Sequence, residues 1–311
     1  MGESDLIALL TTGLAQGREV VVGPGDDCAV VWAQGDVAVS TDTMVEGVHF
    51  RRDWSAPHDI GRKAVASSVA DLEADGARPV AVLMALVLPD DVDQAWVEGL
   101  RDGVREECGL AGVSLVGGDV SRGPVVMMTC TVLGDLGGRA AVTRSGARAG
   151  DVVAVCGRLG MAQAGLTVLG RGFRSPAAVV NAHRVPAVEY GQGAIAAQAG
   201  ATAMIDVSDG LVADLGHIAA SSGVAIDVDS SALPVSQPQA TVAAALGGAD
   251  PLAFILGGGD DHALAATFPT GAVPPGWLRI GHVLEGEGVT VDGKHWDGPS
   301  GWDHFASHRD W

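Results

Sequence analysis

Lysine is almost missing from this chain of 311 residues, in which Lys63 and Lys294 are the two examples. Neither lies in a glycine-rich loop, and no run of Gly, four residues and Gly-Lys-Ser/Thr occurs, so a Walker A phosphate loop is excluded. Basic residues are few overall, since 19 Lys and Arg stand against 38 Asp and Glu for a net charge of −19. Such a surface repels phosphate backbones and anionic lipids, so we expect neither nucleic acid nor a membrane as partner.

Cysteine is also scarce, and its four positions include no Cys-x-x-Cys pair: Cys28, Cys108, Cys130 and Cys156. Three of the four lie in apolar stretches, which predicts buried free thiols in a reducing compartment rather than disulfides or metal ligands. The longest apolar run, residues 80–88, is too short to cross a bilayer, and the N-terminus lacks the pattern of a signal peptide. We therefore expect a cytoplasmic protein.

Acidic residues, by contrast, form six clusters beside Gly, Ser or Thr. These are Gly25-Asp26-Asp27, Ser40-Thr41-Asp42, Asp71, Gly117-Gly118-Asp119, Asp206-Val207-Ser208-Asp209-Gly210 and Gly258-Gly259-Asp260-Asp261. Asp next to Gly is ordinary turn chemistry, so any single cluster alone would be interpreted as a turn.

The positions of these clusters favour a function. Four of them follow apolar runs that predict strands, at residues 37–39, 113–116, 203–205 and 254–256. Strand ends are where α/β folds bind ligands, and oxygen donors of this kind hold Mg²⁺ and bridge it to phosphates. The pattern therefore predicts a protein that handles a nucleotide through metal ions.

The order of apolar and polar segments predicts a mixed α/β (α+β) protein with two domains. Helices are expected at residues 5–16, 57–76 and 92–108, between strands at 80–88, 113–116 and 125–133. The glycine-rich stretch 134–150 is the best boundary, which gives domains at 1–137 and 138–311. The second domain again alternates strands and helices.

Six sequence segments together resemble the motifs of thiamine-monophosphate kinases. They are GPGDDCAV at 23–30, STDTMVEGVHF at 40–50, GGDVSRGP at 117–124, TRSGA at 143–147, IDVSDGL at 205–211 and GWDHF at 301–305. The resemblance spans nearly the whole chain, and the block from Ser40 is specific to this kinase among its relatives.

The resemblance implies the two-domain fold of the aminoimidazole ribonucleotide synthetase-like superfamily. In it, an N-terminal ATP- and Mg²⁺-binding sheet domain forms a homodimer, and a C-terminal α/β domain packs over the nucleotide. The implied reaction is phosphorylation of thiamine monophosphate to thiamine diphosphate, with ATP as co-substrate and several Mg²⁺ ions. An acceptor that is itself a phosphate needs no general base, so catalysis reduces to positioning and charge neutralisation.

The resemblance also implies residue roles. The metal-binding positions would be Asp27, Ser40, Thr41, Asp42, Asp71, Asp119, Asp206 and Asp209. Gly118, Asp119, Arg144 and Ser208 would bind the nucleotide, and His49, Asp260 and Trp302 would bind the thiamine phosphate. Asp42, Asp206, Asp209 and Arg144 are the residues we expect to act in catalysis.

Alternatives remain for several of these residues. His49 could be a structural histidine, Arg144 a cap at the domain junction, and Trp302 a packing residue. The sequence also departs from the family pattern, with Ser68 in place of Asn, Glu73-Ala74-Asp75-Gly76 in place of Ala-Ala-Met-Gly, and Asp260 in place of Glu. A catalytically impaired nucleotide-binding homologue, or another ATP-dependent enzyme of the superfamily, is therefore the alternative function.

Overall fold

The structure is a computed structural model that describes residues 3–25, 28–298 and 301–302. It divides into two compact units. The first comprises Met1–Leu72 and Ala77–Ala141, and the second comprises Glu73–Gly76 and Val142–Trp311. Among the described residues, no helix combines the length and apolar character needed to span a membrane.

In the residues that the structure describes, the first unit contains three helices and six strands, numbered in chain order. The helices are α1 (Glu3–Thr11), α2 (Pro57–Ala74) and α3 (Gln94–Ala111), and the strands are β1 (Val20–Val22), β2 (Val30–Val31), β3 (Val37–Val45), β4 (Arg78–Leu88), β5 (Ser114–Arg122) and β6 (Met127–Asp135). Strands β3-β6-β4-β5 form a sheet in which β4 and β5 are parallel and the other neighbours antiparallel. Strands β1 and β2 form a separate antiparallel ribbon.

The four-stranded sheet has one packed face and one open face. On β6 the buried residues alternate, and Cys130 and Val132 lie on the packed face. On β3 the residues of the opposite parity, including Val39 and Thr41, are exposed. Helix α2 covers the packed face, because the Ser68 hydroxyl contacts the Cys130 thiol and the Ser40 hydroxyl contacts Asp71.

The described part of the second unit contains six α-helices and seven strands. The helices are α4 (Met161–Gly170), α5 (Ala177–Arg184), α6 (Gln192–Ala199), α7 (Leu211–Ser222), α8 (Gln237–Ala245) and α9 (Leu252–Gly257); the strands are β7 (Val152–Cys156), β8 (Ala203–Val207), β9 (Ala225–Val228), β10 (Ala263–Phe268), β11 (Leu278–Leu284), β12 (Gly288–Val291) and β13 (Lys294–His295). The sheet order is β13-β12-β9-β11-β7-β10-β8.

The central strands of this sheet are buried on both faces, which explains their continuous apolar sequences. Val153 and Val155 of β7 pack in the same cluster as Leu215 of α7. Ala154 and Cys156, with the opposite parity, pack in a second cluster. Strand β8, which precedes the Asp206 cluster, is buried along its whole length.

Two sequence predictions about strand ends were wrong. Residues 254–256 were predicted as a strand but belong to helix α9, because a short apolar run does not distinguish a buried strand from a buried helix. Residues 40–42 and 117–119 lie inside β3 and β5 rather than after them. The predicted burial of three cysteines was confirmed, since Cys108, Cys130 and Cys156 are buried.

Candidate active site

The first unit brings three predicted metal-binding side chains to one face of its sheet. Ser40 and Asp42 lie two residues apart on β3, so strand alternation gives them the same face. The Ser40 hydroxyl donates to Oδ2 of Asp71 on α2 at 2.5 Å. Asp42 stands opposite Cys130 in the register, and burial, with a smaller contribution from Asp42, raises the pKa of that thiol to about 12. Hydroxyl and carboxylate oxygens therefore collect beneath α2.

Thr41 does not join this group through its side chain. Its hydroxyl lies on the other face of β3, where it donates to the Cys130 carbonyl at 3.2 Å and lies 3.0 Å from the Thr131 hydroxyl. Asp27, the remaining predicted ligand from the N-terminal part of the chain, lies outside the described residues.

Gly118 and Asp119 lie on β5 at a point where only glycine fits. A Cβ on Gly118 would overlap the carbonyl oxygen of Met84 on the neighbouring strand. The register of β4 and β5 shifts just before this point, which marks an irregular pairing. Asp119 is exposed, and its Oδ2 accepts from the Ser121 hydroxyl at 3.0 Å. The glycine therefore permits a close backbone approach and places an acidic side chain at the sheet edge.

A cavity of about 530 Å³ adjoins Gly118 and Asp119 within the first unit. Its wall is mostly apolar and includes residues of α1, α3, β4 and β5; among the described residues of the wall, the charged ones are Arg101 and Asp119. An apolar cavity with a few polar groups at one side is typical of a small-ligand site. The sequence did not predict it, because its lining residues come from segments spread over more than 100 positions.

His49 follows β3 in a short loop. Its Nδ1 accepts the backbone N–H of Val45 at 3.0 Å, so the proton of the neutral ring lies on Nε2. The Lys63 ammonium donates to the His49 carbonyl at 3.4 Å and holds the loop against α2. The ring is thus oriented by the backbone, with its N–H at Nε2.

The second unit presents its predicted residues where β8 meets α7, and here the predicted strand end was confirmed. Asp206 is the fourth residue of β8 and is 4% exposed, whereas Ser208 and Asp209 follow the strand and are partly exposed. Ligand atoms of Asp209, Asp214 and His217 lie within 4.8 Å of one another. This junction therefore gathers several oxygen donors and one imidazole.

The segment from Gly258 to His262 pairs with this junction. The Asp260 N–H donates to the Ser208 carbonyl at 2.8 Å, and the His262 N–H donates to the Val207 carbonyl at 2.9 Å. Asp260 and His262 both have left-handed backbone conformations, with φ of +67° and +53°. The two acidic motifs of the second unit therefore form one site, although they are some fifty residues apart in sequence.

The side chains of this segment meet in a row. Oδ2 of Asp260 lies 3.5 Å from Nδ1 of His183, and Oδ1 lies 3.9 Å from Nε2 of His262. The other nitrogen of His262, Nδ1, lies 3.0 Å from Oδ2 of Asp206. Asp260, a predicted substrate contact, and Asp206, a predicted metal ligand, are therefore separated by a single imidazole.

Arg144 and Trp302 also belong to the second unit. Arg144 is exposed in the loop before β7, and its carbonyl accepts from the Ser222 hydroxyl at 3.2 Å. The Trp302 N–H donates to the Asp209 carbonyl at 3.0 Å, and 39% of the residue remains exposed. This bond brings Trp302 beside the Asp209 loop, so the residue is not packed into the core.

Comparisons with known proteins identify the family of the chain. Residues 25–136 match the family described as AIR synthase related protein, N-terminal domain. The chain is 48% identical over 308 residues to the thiamine-monophosphate kinase of Mycobacterium tuberculosis, covering 98% of this chain and 92% of that protein. The chain belongs to the thiamine-monophosphate kinase family. The sequence resemblance was therefore confirmed, and the protein is a kinase by membership.

Solved structures of the family show the same fold. The thiamine-monophosphate kinase from Stenotrophomonas maltophilia K279a has a TM-score of 0.81 at 34% identity, with 93% of this chain and 95% of that chain covered. A structure of AaThiL complexed with AMPPCP and TMP has a TM-score of 0.79 at 36% identity, with 86% and 87% covered. The predicted fold class, α/β with the aminoimidazole ribonucleotide synthetase-like architecture, is thus confirmed.

Two departures from the kinase pattern have structural explanations. Glu73 is 1% exposed, and its carboxylate accepts the N–H groups of Gly191 and Gly193 at 2.8 and 2.9 Å. Burial raises its pKa, and the two N–H groups oppose that rise. Burial also raises the pKa of Asp75, which the charge of Arg144 partly offsets. Glu73 therefore anchors the start of α6 and is not a further metal ligand.

Sequence reasoning missed one acidic residue near the site, Asp214, and gave no role to another, Asp261. Asp214 accepts the N–H groups of Asp209 and Gly210 at 3.1 and 3.0 Å, and burial raises its pKa to about 7. Asp261 accepts the N–H groups of Gly160 and Ala162 at the start of α4. Both carboxylates hold backbone in place, and no local sequence signal separates such anchors from ligands.

Proposed function

We propose that the chain transfers the γ-phosphoryl group of ATP to the phosphate of thiamine monophosphate, which gives thiamine diphosphate and ADP. In this step an acceptor phosphate oxygen forms a bond to the γ-phosphorus while the bond to the β,γ-bridging oxygen breaks in line. The family membership and the AaThiL complex with AMPPCP and TMP support the proposal. The observation that carries it is the pair of oxygen-rich sites, one under α2 and one at the β8–α7 junction.

The donor chemistry fits Mg²⁺. Side chains in both sites offer carboxylate and hydroxyl oxygens, which hard cations prefer. In the first unit Ser40, Asp42, Asp71 and Asp119 would serve, and Thr41 would have to use its backbone carbonyl. In the second unit Asp206 and Asp209 would serve. When bound, Mg²⁺ neutralises the charge that keeps two phosphates apart.

We assign the 530 Å³ cavity of the first unit to the base of the nucleotide. A purine is flat and largely apolar, and the cavity offers apolar walls with Gly118 at one side. Gly118 belongs to the cavity wall, where its backbone lies directly against the Met84 carbonyl group of the neighbouring strand. Arg144 and Ser208 would contact the phosphates of ATP.

The acceptor would be held by His49, Asp260 and Trp302. Nε2–H of His49 is the atom suited to donate to the thiamine phosphate, because Nδ1 already accepts from Val45. The partly exposed indole of Trp302 offers a face for a cationic thiazolium, worth about 0.5–2 kcal/mol. Asp260 would bind the thiamine directly or through a water, which is nearly as good as a direct bond.

We also propose a homodimer formed through the open face of the four-stranded sheet. Val39 on that face is 62% exposed and Val37 is 41% exposed. Apolar residues in a row on a sheet face are a common interaction surface. Sedimentation velocity of the chain, compared with a Val39→Lys variant, tests this assignment.

The function is tested by mass spectrometric detection of thiamine diphosphate after incubation with ATP, Mg²⁺ and thiamine monophosphate. Asp42→Asn and Asp206→Asn should retain the fold and reduce turnover by orders of magnitude, because each removes a negative ligand where phosphoryl charge is neutralised. Asp297→Asn, at an exposed position, is the matched control. If the chain binds nucleotide but forms neither ADP nor thiamine diphosphate, the impaired homologue is favoured. If it releases ADP without forming thiamine diphosphate, another ATP-dependent enzyme of the superfamily is favoured.

A further inference from the structure

His262 makes a sheltered contact with Asp206 that the reaction described above does not use. Its Nδ1 lies 3.0 Å from Asp206 Oδ2, and the two side chains are 10% and 6% exposed. Its Nε2 lies 3.9 Å from Asp260, which is too long for a hydrogen bond. The ring therefore acts on Asp206 and only borders Asp260.

The chemistry of the contact fixes the donor. An ionised carboxylate only accepts hydrogen bonds, so Nδ1 of His262 carries the proton and donates the hydrogen bond that Asp206 Oδ2 accepts. This bond restricts rotation of the carboxylate about its terminal torsion, which is otherwise broad. Oδ1 is then the oxygen of Asp206 that would meet a cation.

Backbone hydrogen bonds help to set the position of His262. Its N–H donates to the Val207 carbonyl at 2.9 Å, directly beside Asp206. The preceding residue, Asp261, is tied to the start of α4 through Ala162 at 2.9 Å. The ring therefore extends from a segment that is anchored through its own backbone N–H and through the preceding residue.

We propose that His262 is a positioning residue for the metal site, which orients the Asp206 carboxylate through Nδ1–H. The inference rests on the proposed function, because that function makes Asp206 a Mg²⁺ ligand. Partners that orient metal ligands typically alter metal affinity or activity by about 10- to 100-fold when they are removed.

Three substitutions separate this role from others. His262→Asn keeps a donor at the position of Nδ1 and suits a left-handed backbone. His262→Gln moves the donor to the position of Nε2. His262→Gly removes the ring but accepts the φ of +53° without strain. His282→Asn, on the exposed side of β11, is the matched control for loss of a histidine.

Two readouts are measured on the full chain: the Mg²⁺ concentration for half-maximal rate, and Mn²⁺ binding followed by electron paramagnetic resonance without nucleotide. We expect His262→Gln and His262→Gly to raise both the Mg²⁺ concentration for half-maximal rate and the Kd for Mn²⁺ by about 10- to 100-fold. In His262→Asn and His282→Asn both values should stay within about threefold of wild type. Thermal melts without metal check that each variant is folded.

Several outcomes overturn the inference. Wild-type metal affinity in His262→Gly would show that the ring does not orient Asp206. Wild-type metal affinity in His262→Gln but not in His262→Asn would show that the ring acts on Asp260 through Nε2 instead. If the wild-type chain bound no Mn²⁺, there would be no metal site at Asp206 for His262 to orient. If the wild type binds Mn²⁺ but makes no thiamine diphosphate, the proposed function fails while the Mn²⁺ titrations still decide the role of His262.

Discussion

Asp261→Asn should change how the stability of the protein depends on pH. The Asp261 carboxyl is 4% exposed, and burial raises its pKa from an ordinary value near 4 to about 7, although the N–H groups of Ala162 and Gly160 oppose the rise. The folded state therefore keeps a proton that the unfolded chain loses. The stability this provides is complete below about pH 4 and is lost as the pH rises through about 7.

The magnitude follows from the same values. Each pKa unit corresponds to 1.36 kcal/mol, so the full loss is about 4 kcal/mol, of which roughly 2–3 kcal/mol falls between pH 5 and 8. Asparagine does not titrate, but it offers one acceptor oxygen to two N–H groups, which costs about 1–3 kcal/mol at every pH. The substitution should therefore become more favourable relative to wild type as the pH rises.

Differential scanning calorimetry at pH 5, 6, 7 and 8 measures this effect. With about 2–4 °C for each kcal/mol in a unit of this size, the Tm of Asp261→Asn relative to wild type should rise by roughly 5–10 °C across the series. Asp297→Asn, an exposed control, should show no such trend. A difference in Tm that stays constant from pH 5 to 8 would refute the reasoning.

Three further predictions concern other residues of the site. Glu73→Ala should lower stability by about 1–3 kcal/mol because the N–H groups of Gly191 and the buried Gly193 lose their acceptor, and Glu73→Gln should lower it less; an unchanged melting temperature in the alanine variant would contradict the anchor role. His49→Gln should raise the KM for thiamine monophosphate and leave the pH profile of kcat unchanged between pH 6 and 8, since no general base is needed. Asp260→Ala should weaken thiamine monophosphate binding by about 1–3 kcal/mol with ATP affinity unchanged, and Asp260→Glu should keep activity within about tenfold. Equal loss of both ligands, measured by calorimetric titration, would place Asp260 in the metal site or the fold.

The sequence predicted the β8–α7 junction well because its signals are local. A short apolar run ends at Asp206, and Gly210 stops the chain from continuing as a strand before Leu211 opens a helix. Residues 117–119 misled the prediction for the opposite reason. Two glycines indicate a turn, but here Gly118 remains in a strand because a neighbouring carbonyl group comes close to it. The contact between Gly118 and a carbonyl group of the neighbouring strand depends on the tertiary fold, so the residues around Gly118 in the sequence do not indicate it.

Anchoring carboxylates were harder still to recognise. Glu73 accepts from Gly191 and Gly193, which lie 118 and 120 residues away, and Asp261 accepts from Gly160, 101 residues away. In sequence these acids look like the neighbouring Asp71 and Asp260. Only the folded backbone decides which carboxylates face N–H groups and which remain available for a ligand.

The left-handed backbone at Asp260 and His262 also restricts the paths by which this site can evolve. Asp, Asn and His adopt such φ values several times more often than other residues with a Cβ, whereas β-branched residues almost never do. Evolution at these two positions is therefore limited to a few residue types, even where the chemistry of the site would permit others. Deep mutational scanning should return Asn and Gly at position 262 more often than Gln, Val or Thr, so variation there records backbone geometry as well as function.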